Sequence, residues 1–362
     1  MRALNLIQLI SLCLAIFCSS LWAGSMPRPV TMQPEQVVVV VNKQDANSIA
    51  VGDYYINARN IPKKNLIVVD IPSNTATLSA EQFKPLREQI YANLSDEIQV
   101  IVLAWTKPYA VNCNSITSAV TLGFDAKQCE NSCGVGSKNP YFNSQSRNPQ
   151  KDFNLRLSIL LPADSIDLAK SIIDRGVIST FKLNQATGYF LKTSDVLRSK
   201  PREEFFPKDL SKIESKKLYI RTIKADSIKD KKDIMFYFTG MVSVPHLETL
   251  NFMPGAVADH LTSGGGVLQD GGQMSILRWL EAGATGSYGA VSEPCNYWQK
   301  FPNPAVMVSH YLAGETLIES YWKSVLWPAQ GLFIGEPLAA PYYTQPSFSD
   351  LNLKLPSNQI TD

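Results

Sequence analysis

Three short apolar runs constrain this chain more than any other feature: "QVVVVVN" (residues 36–42), "NLIVVDI" (65–71) and "IQVIVLAW" (98–105). None of them alternates polar with apolar residues. The first suits a strand buried on both faces, and the other two read as further apolar strands. Helical patterns fill the gaps. "DANSIAVGDYYINARN" sets Ile49, Ala50, Tyr54 and Ala58 at helical spacing, with Asp45 or Asn47 to cap its start and Pro62 beyond its end. "SAEQFKPLREQIYANL" reads as a second helix, with Ser79 and Gln82 at capping-box spacing. The order β-α-β-α-β implies a parallel sheet covered on both faces, a three-layer α/β sandwich.

The alternation continues. "LRLSILLP" reads as a strand, and "DSIDLAKSIIDRG" as a helix closed by Gly176. "DIMFYFTGMVSV" is a strand entering a turn at Gly240. "PGAVADHL" is predicted to be a helix with Pro254 in its first turn. "TSGGGVLQDGGQ" is a glycine loop around a short strand at Val267 and Leu268. "MSILRWLEAG" is a helix ending at Gly283, and "ATGSYGAVS" a strand. "NPAVMVSHYLAGETLIESYWKSVL" gives two helices broken at Gly314, and "GLFIGEPLAAPY" a last strand and turn. Two stretches interrupt the pattern: an irregular, cysteine-bearing loop at 106–152, and a charged stretch at 198–232 whose mixed signs read as a solvated surface insertion. There is no repeat and no clear linker, so residues 24–362 are expected to form a single α/β domain.

The N-terminus bears on compartment. Arg2, an apolar core over 4–21 and the small residues Ala23, Gly24 and Ser25 form the three-part pattern of a secretory signal, with cleavage expected after Ala23. A membrane anchor would need roughly 20 apolar residues, usually with basic residues just after them. Neither Cys13 nor Cys18 follows a small residue, which argues against a lipid anchor. The mature chain is expected to be exported, periplasmic or extracellular, with no membrane span. A net charge of +2 and the lack of a basic stripe argue against a nucleic-acid partner. Without the signal, Cys113, Cys129, Cys133 and Cys295 remain. An even number in an oxidising compartment favours disulfides. A zinc site is the weaker reading, because no second CxxC accompanies the CxxxC at Cys129 and Cys133. The expected pairing joins Cys113 to Cys295 and closes a small ring between Cys129 and Cys133. No metal or cofactor is expected.

Ligands of open parallel sheets sit beyond the carboxyl ends of the strands. Trp105, Tyr109, Thr239, Gly240, Glu293, Lys300 and Glu336 are therefore expected to share one binding rim. Cys295 is a candidate nucleophile if one of His246, His260 or His310 reaches it; the plainer reading is a disulfide. Ser263 stands before Gly264, Gly265 and Gly266, whose N–H groups could meet an oxyanion, with His260 and Asp259 close in sequence. The GxSxG elbow is missing, and a helix end before a glycine turn explains the stretch equally well. The glycines at 264–272 could cradle an anion, but they match neither GxGxxG nor GxxxxGK[ST]. Glu293 and Glu336 could pair for glycosidic chemistry or bind a cation, against the plainer reading of strand-end acids accepting loop N–H bonds. Trp279, Tyr297, Trp298, Tyr311, Tyr321 and Trp322 read as core packing before a carbohydrate platform.

Longer motifs carry a resemblance. "AWTKPYAVNCNSITSAVTLGFD", "FYFTGMVSV", "PGAVADHLTSGGGVL", "LRWLEAGATGSYGAVSEPCNYWQKFPNPAV", "HYLAGETLIESYWKSV" and "QGLFIGEPLAAPY" resemble an uncharacterised family of exported bacterial proteins that co-occurs with the exosortase sorting system. The order strand, glycine turn, glycine loop, helix, "GATGSYGAVSEP" is also similar to the gingipain-like cysteine peptidases of the caspase-haemoglobinase fold. In those, His-Gly ends one strand and Cys ends the next. Here Thr239 and Gly240 stand at the first position, and Thr262 or Ser263 at the second. The resemblance thus implies an exported, peptidase-like protein without the catalytic pair, binding polypeptide or cell-envelope material. Its rivals are a cysteine or serine hydrolase and a structural envelope-assembly factor linked to protein sorting.

Overall fold

A computed structural model describes residues 32–71, 75–92, 94–179, 185–269, 271–292 and 295–343. The expected signal segment lies outside them. The chain opens with β1 (Val37–Asn42), α1 (Ala46–Arg59), β2 (Leu66–Val69), a two-residue β3 (Thr77–Leu78), α2 (Ala80–Tyr91) and β4 (Val100–Leu103). Every residue of β1 and β4 is buried, as their unbroken apolar runs require. Asp45 caps α1 by accepting from Asn47 N at 2.9 Å. Ser79 and Gln82 close the capping box of α2. The 106–152 loop holds β5 (Ala110–Val111), β6 (Asn114–Ser115), α3 (Ile116–Leu122), α4 (Ala126–Glu130) and α5 (Pro149–Phe153). Then come β7 (Leu157–Leu160), α6 (Ile166–Ser179), β8 (Ala186–Lys192), α7 (Val196–Glu203), β9 (Lys212–Ile213), β10 (Leu218–Lys224), β11 (Ile234–Gly240), β12 (Phe252–Leu261), α8 (Leu277–Glu281), β13 (Gly286–Ala290), α9 (Pro304–Leu312), α10 (Leu317–Ser324) and β14 (Gly331–Gly335).

Eleven strands form one sheet in the order β2-β1-β4-β7-β14-β13-β12-β11-β8-β10-β9, and β3, β5 and β6 a small second one. Strands β2, β1, β4 and β7 run parallel, as do β13, β12, β11, β8 and β10. β14 runs antiparallel to β13, and β9 to β10. This is the mainly parallel α/β arrangement expected. Helix α6 packs against α1 and α8, α9 packs against α10, and α3 packs on β7 and β14.

Several local expectations give way to tertiary pairing. "PGAVADHL" is strand, not helix: it lies in β12, between β11 and β13. Its run from Ala256 to Leu261 is buried throughout, so it has no polar face for an amphipathic helix. Val267 and Leu268 lie in a turn region and form no strand. The charged stretch at 198–232 is built into the sheet: β10 pairs with β8 over seven residues, and β9 lines the edge. In β10 the charged residues, Arg221 and Lys224, are half-buried and exposed, while Leu218 and Ile220 are buried, so the charges masked the strand period.

Gly176 does not close α6, which runs on to Ser179. It is a contact position. A Cβ there would fall 2.1 Å from Glu336 Oε2. Glu336 is fully buried and held by Arg59, with Nε donating to Oε1 at 2.9 Å and the second guanidinium nitrogen 2.5 Å from Oε2. Tyr55 Oη donates to the same carboxylate at 2.7 Å. Gly176→Ala is therefore expected to destabilise the protein by about 1–3 kcal/mol in urea unfolding, as overpacking does. The opposing gain in helix propensity is only about 1 kcal/mol.

Candidate functional site at the strand ends

β11 and β12 are parallel neighbours, with Thr239 level with His260 and Gly240 with Leu261. The two positions at which a reactive pair is looked for thus end adjacent strands. Helix α7 closes over them. A Cβ on Gly240 would lie 2.1 Å from the Arg198 carbonyl oxygen, a backbone atom that cannot swing away, so only glycine fits. Arg202, on the same helix, is 1% exposed. One guanidinium nitrogen lies 2.5 Å from Asp259 Oδ1, and the other donates to the Thr239 carbonyl at 2.6 Å. Burial pushes the Asp259 carboxyl up to about 6, against the opposing pull of Arg202. Arg198 Nε donates to Thr262 Oγ1 at 3.2 Å. Gln273 Oε1 accepts from Thr262 Oγ1 at 2.8 Å and from Gly264 N at 2.7 Å. Guanidinium groups and their partners occupy these strand ends.

His260 is a core histidine. Its Nδ1 accepts from Trp279 Nε1 at 3.0 Å, which leaves Nε2 to donate to the Met274 carbonyl at 3.0 Å. Complete burial holds its pKa down to about 4. With both nitrogens engaged, it has none to offer Ser263, which sits half-buried in the turn after Thr262. His246 is exposed in a left-handed conformation (φ 67°) on the loop between β11 and β12. Among the described residues neither histidine hydrogen-bonds Ser263. The glycines serve close packing: a Cβ on Gly289 of β13 would fall 2.7 Å from both Gly265 C and Gly266 N. Gly266 N donates to the Ala290 carbonyl at 2.7 Å.

All four cysteines are in disulfides, but the partners differ from expectation: Cys113 joins Cys129 and Cys133 joins Cys295. Local folding explains the exchange. Asp125 caps α4, and its N–H donates to Asn114 Oδ1 at 2.9 Å, which turns Cys129 back onto Cys113. Cys133, beyond α4, is left to reach Cys295. Cys295 is therefore no free nucleophile in this state.

Loops after different strands do meet along one edge. Ser292, after β13, donates to the Cys113 carbonyl at 2.9 Å, and Gln269, after β12, donates to Asp164, after β7, at 2.7 Å. The proposed rim is otherwise not open. Trp105, Tyr109, Thr239, Gly240 and Lys300 are all buried. Trp105 Nε1 donates to the Pro108 carbonyl at 3.0 Å. Lys300 Nζ donates to Gln330 Oε1 at 2.8 Å and to the Ser132 carbonyl. Glu336 belongs to the opposite edge. Its N–H donates to the carbonyl of Thr285, just before β13, because β14 runs antiparallel to that strand. Glu293 lies outside the described residues, so the proposed pairing with Glu336 has no described geometry. Of the six aromatics, Trp279, Tyr311, Tyr321 and Trp322 are fully buried, Trp298 is half-buried, and only Tyr297 is exposed, at 45%.

Two features had no sequence signal. Glu315, on the turn between α9 and α10, lies 3.0 Å from His310 Nδ1, 2.8 Å from Lys323 Nζ and 3.3 Å from Arg147 Nε. Burial opposes its ionisation, but the His310 hydrogen bond and the Lys323 charge hold its carboxyl below the usual range. Arg147 also lines a polar cavity of about 1290 Å³ with Gln36, Asp96, Gln99, Gln150 and Asp152, where β1 and β4 begin. These groups come from distant stretches, and no motif joins them. Among the described residues no group of three or more His, Cys, Asp or Glu side chains is placed to hold a metal ion, and no helix is long and apolar enough to cross a membrane.

No protein-family model matches the chain, and no curated protein matches it. Two solved structures are similar. One is the Arg-specific cysteine proteinase gingipain R, 9% identical, with a TM-score of 0.44 over 87% of this chain and 80% of that one. The other is a complex of the pro- and mature domains of a Porphyromonas gingivalis gingipain, 9% identical, with a TM-score of 0.34 over 84% and 79%.

Arg202→Leu leaves Asp259 buried without its cation, and is expected to cost about 3–5 kcal/mol in chemical denaturation. For His260, the native state binds fewer protons than the unfolded chain between the ordinary value of 6.5 and about 4. Its contribution to stability is full above that window and is lost as the pH falls through it. The imidazole NMR signal of His260 in the folded protein is expected to stay that of a neutral ring down to roughly pH 5.

Proposed function

We propose that this chain is an exported, peptidase-like α/β protein that binds polypeptide or cell-envelope material and does not hydrolyse it. The observation that carries this reading is the filling of the β11 and β12 strand ends by Arg202 and Asp259, beside a histidine whose two nitrogens are both engaged. The two disulfides support an oxidising compartment. A surface for polypeptide adjoins the strand ends: α7 exposes Leu197 at 72% and Val196 beside it, and Val242 is exposed just beyond β11. Exposed large apolar side chains of this kind favour interaction when they form a patch. A role in envelope assembly linked to protein sorting rests on the sequence resemblance.

The rival reading, a serine hydrolase, draws on the partial exposure of Ser263 directly after β12. The two readings separate with unfolded casein and a fluorophosphonate probe. The expected outcome is casein binding without cleavage and no labelling of the native protein. Leu197→Asp is expected to weaken that binding roughly tenfold, the worth of one buried leucine side chain. Cleavage or labelling that disappears in Ser263→Ala would establish the hydrolase instead.

A further inference from the structure

The two disulfides are unequally protected. Cys113–Cys129 spans 16 residues between half-buried cysteines. The Asn114 side-chain amide lies over it, with Nδ2 3.2 Å from Cys113 Sγ and 3.4 Å from Cys129 Sγ. Cys133–Cys295 spans 162 residues. Cys133 is exposed, on a loop where Val135 is 77% exposed. At the other end, Cys295 and Asn296 are consecutive non-glycine residues in the left-handed region, with φ of 60° and 56°. The surrounding fold must hold them there.

We propose that Cys133–Cys295 is a thiol–disulfide exchange site for a dithiol reductant of the envelope, a protein or small molecule with two neighbouring thiols. A thiolate of the reductant attacks Cys133 Sγ, the sulfur of the exposed residue, and forms a mixed disulfide there. The bond to Cys295 breaks, and Cys295 leaves as a thiolate that takes up a proton. The second thiol of the reductant then attacks its own mixed disulfide and expels Cys133. The reductant ends as a disulfide. The protein gains two electrons and two protons and carries two thiols. Access of the attacking thiolate governs the rate of such exchange. Loop length acts the other way, since the longer loop constrains the unfolded chain more. That effect belongs to the equilibrium with the unfolded state, so in the folded protein access decides.

Opening the bond leaves noncovalent ties, such as Ser292 to the Cys113 carbonyl and Lys300 to the Ser132 carbonyl, between the cysteine-bearing loop and the segment after β13. It also leaves Cys295 as a thiol in the segment after β13.

The test treats the folded protein with dithiothreitol for graded times, quenches with acid, and reads each cysteine by differential alkylation and peptide mass spectrometry. Cys133 and Cys295 are expected to be modified at least about tenfold faster than Cys113 and Cys129, with tryptophan fluorescence unchanged. In denaturant the difference is expected to vanish. Equal rates in the folded protein, or Cys113–Cys129 opening first, would overturn the proposal. The double variant Cys133→Ser, Cys295→Ser is expected to keep Cys113–Cys129 resistant. Rapid opening in that variant would show that its protection came from the second bond, and would likewise overturn the ranking.

Discussion

A sheet covered on both faces leaves no water for the side chains of its central strands, and most of this protein follows from that constraint. Apolar residues satisfy it directly in β1 and β4, which are buried at every position. Charged residues satisfy it only in company. Arg202 of α7 with Asp259 of β12, and Lys323 of α10 with Glu315 of the turn before it, are buried pairs, and the half-buried Arg59 of α1 holds the buried Glu336 just after β14. A buried ion loses the free energy of hydration, and an opposite charge with good hydrogen bonds has to replace it.

The same constraint explains the strand ends. In open α/β sheets the carboxyl edge is where loops diverge and a crevice forms. Here α7 lies across the ends of β11 and β12, and Gly240 lets its backbone come close. The carbonyl of Thr239 finds its donor in Arg202, and Gln273 gathers the polar groups of the turn after β12. Among the described residues, Thr239 Oγ1 and Asp259 Oδ2 are buried polar atoms at this edge left without a hydrogen-bond partner. The edge presents apolar side chains outward, on the helix that covers it.

Much of the fold was legible in the sequence where a segment's local pattern and its tertiary setting agree. The unbroken runs of β1, β2 and β4, the caps at Asp45 and Ser79 and the break at Gly314 all read correctly. Legibility failed where the two conflict. Pro254 and the small residues after it mimic a helix start, yet the segment pairs as β12 between β11 and β13. β10 carries Lys and Arg on a strand at the sheet's margin, where one face meets water, so its charge masked its period. The site was less legible than the fold. Cys295 as a disulfide cysteine could be read from compartment and count. Its partner could not, because that choice was made by a short helix, α4, and one asparagine. Arg202 gave no sign of its role, since a buried arginine is defined by what lies across from it.

The contact between Gly240 and the Arg198 carbonyl also limits what these strand ends can accommodate. An imidazole introduced at position 239 would arrive at a strand end whose carbonyl already belongs to Arg202 and whose neighbouring position admits no side chain. Clearing that space means moving α7, and moving α7 strips Asp259 of its cation. A larger side chain at these positions therefore requires helix and strands to change together.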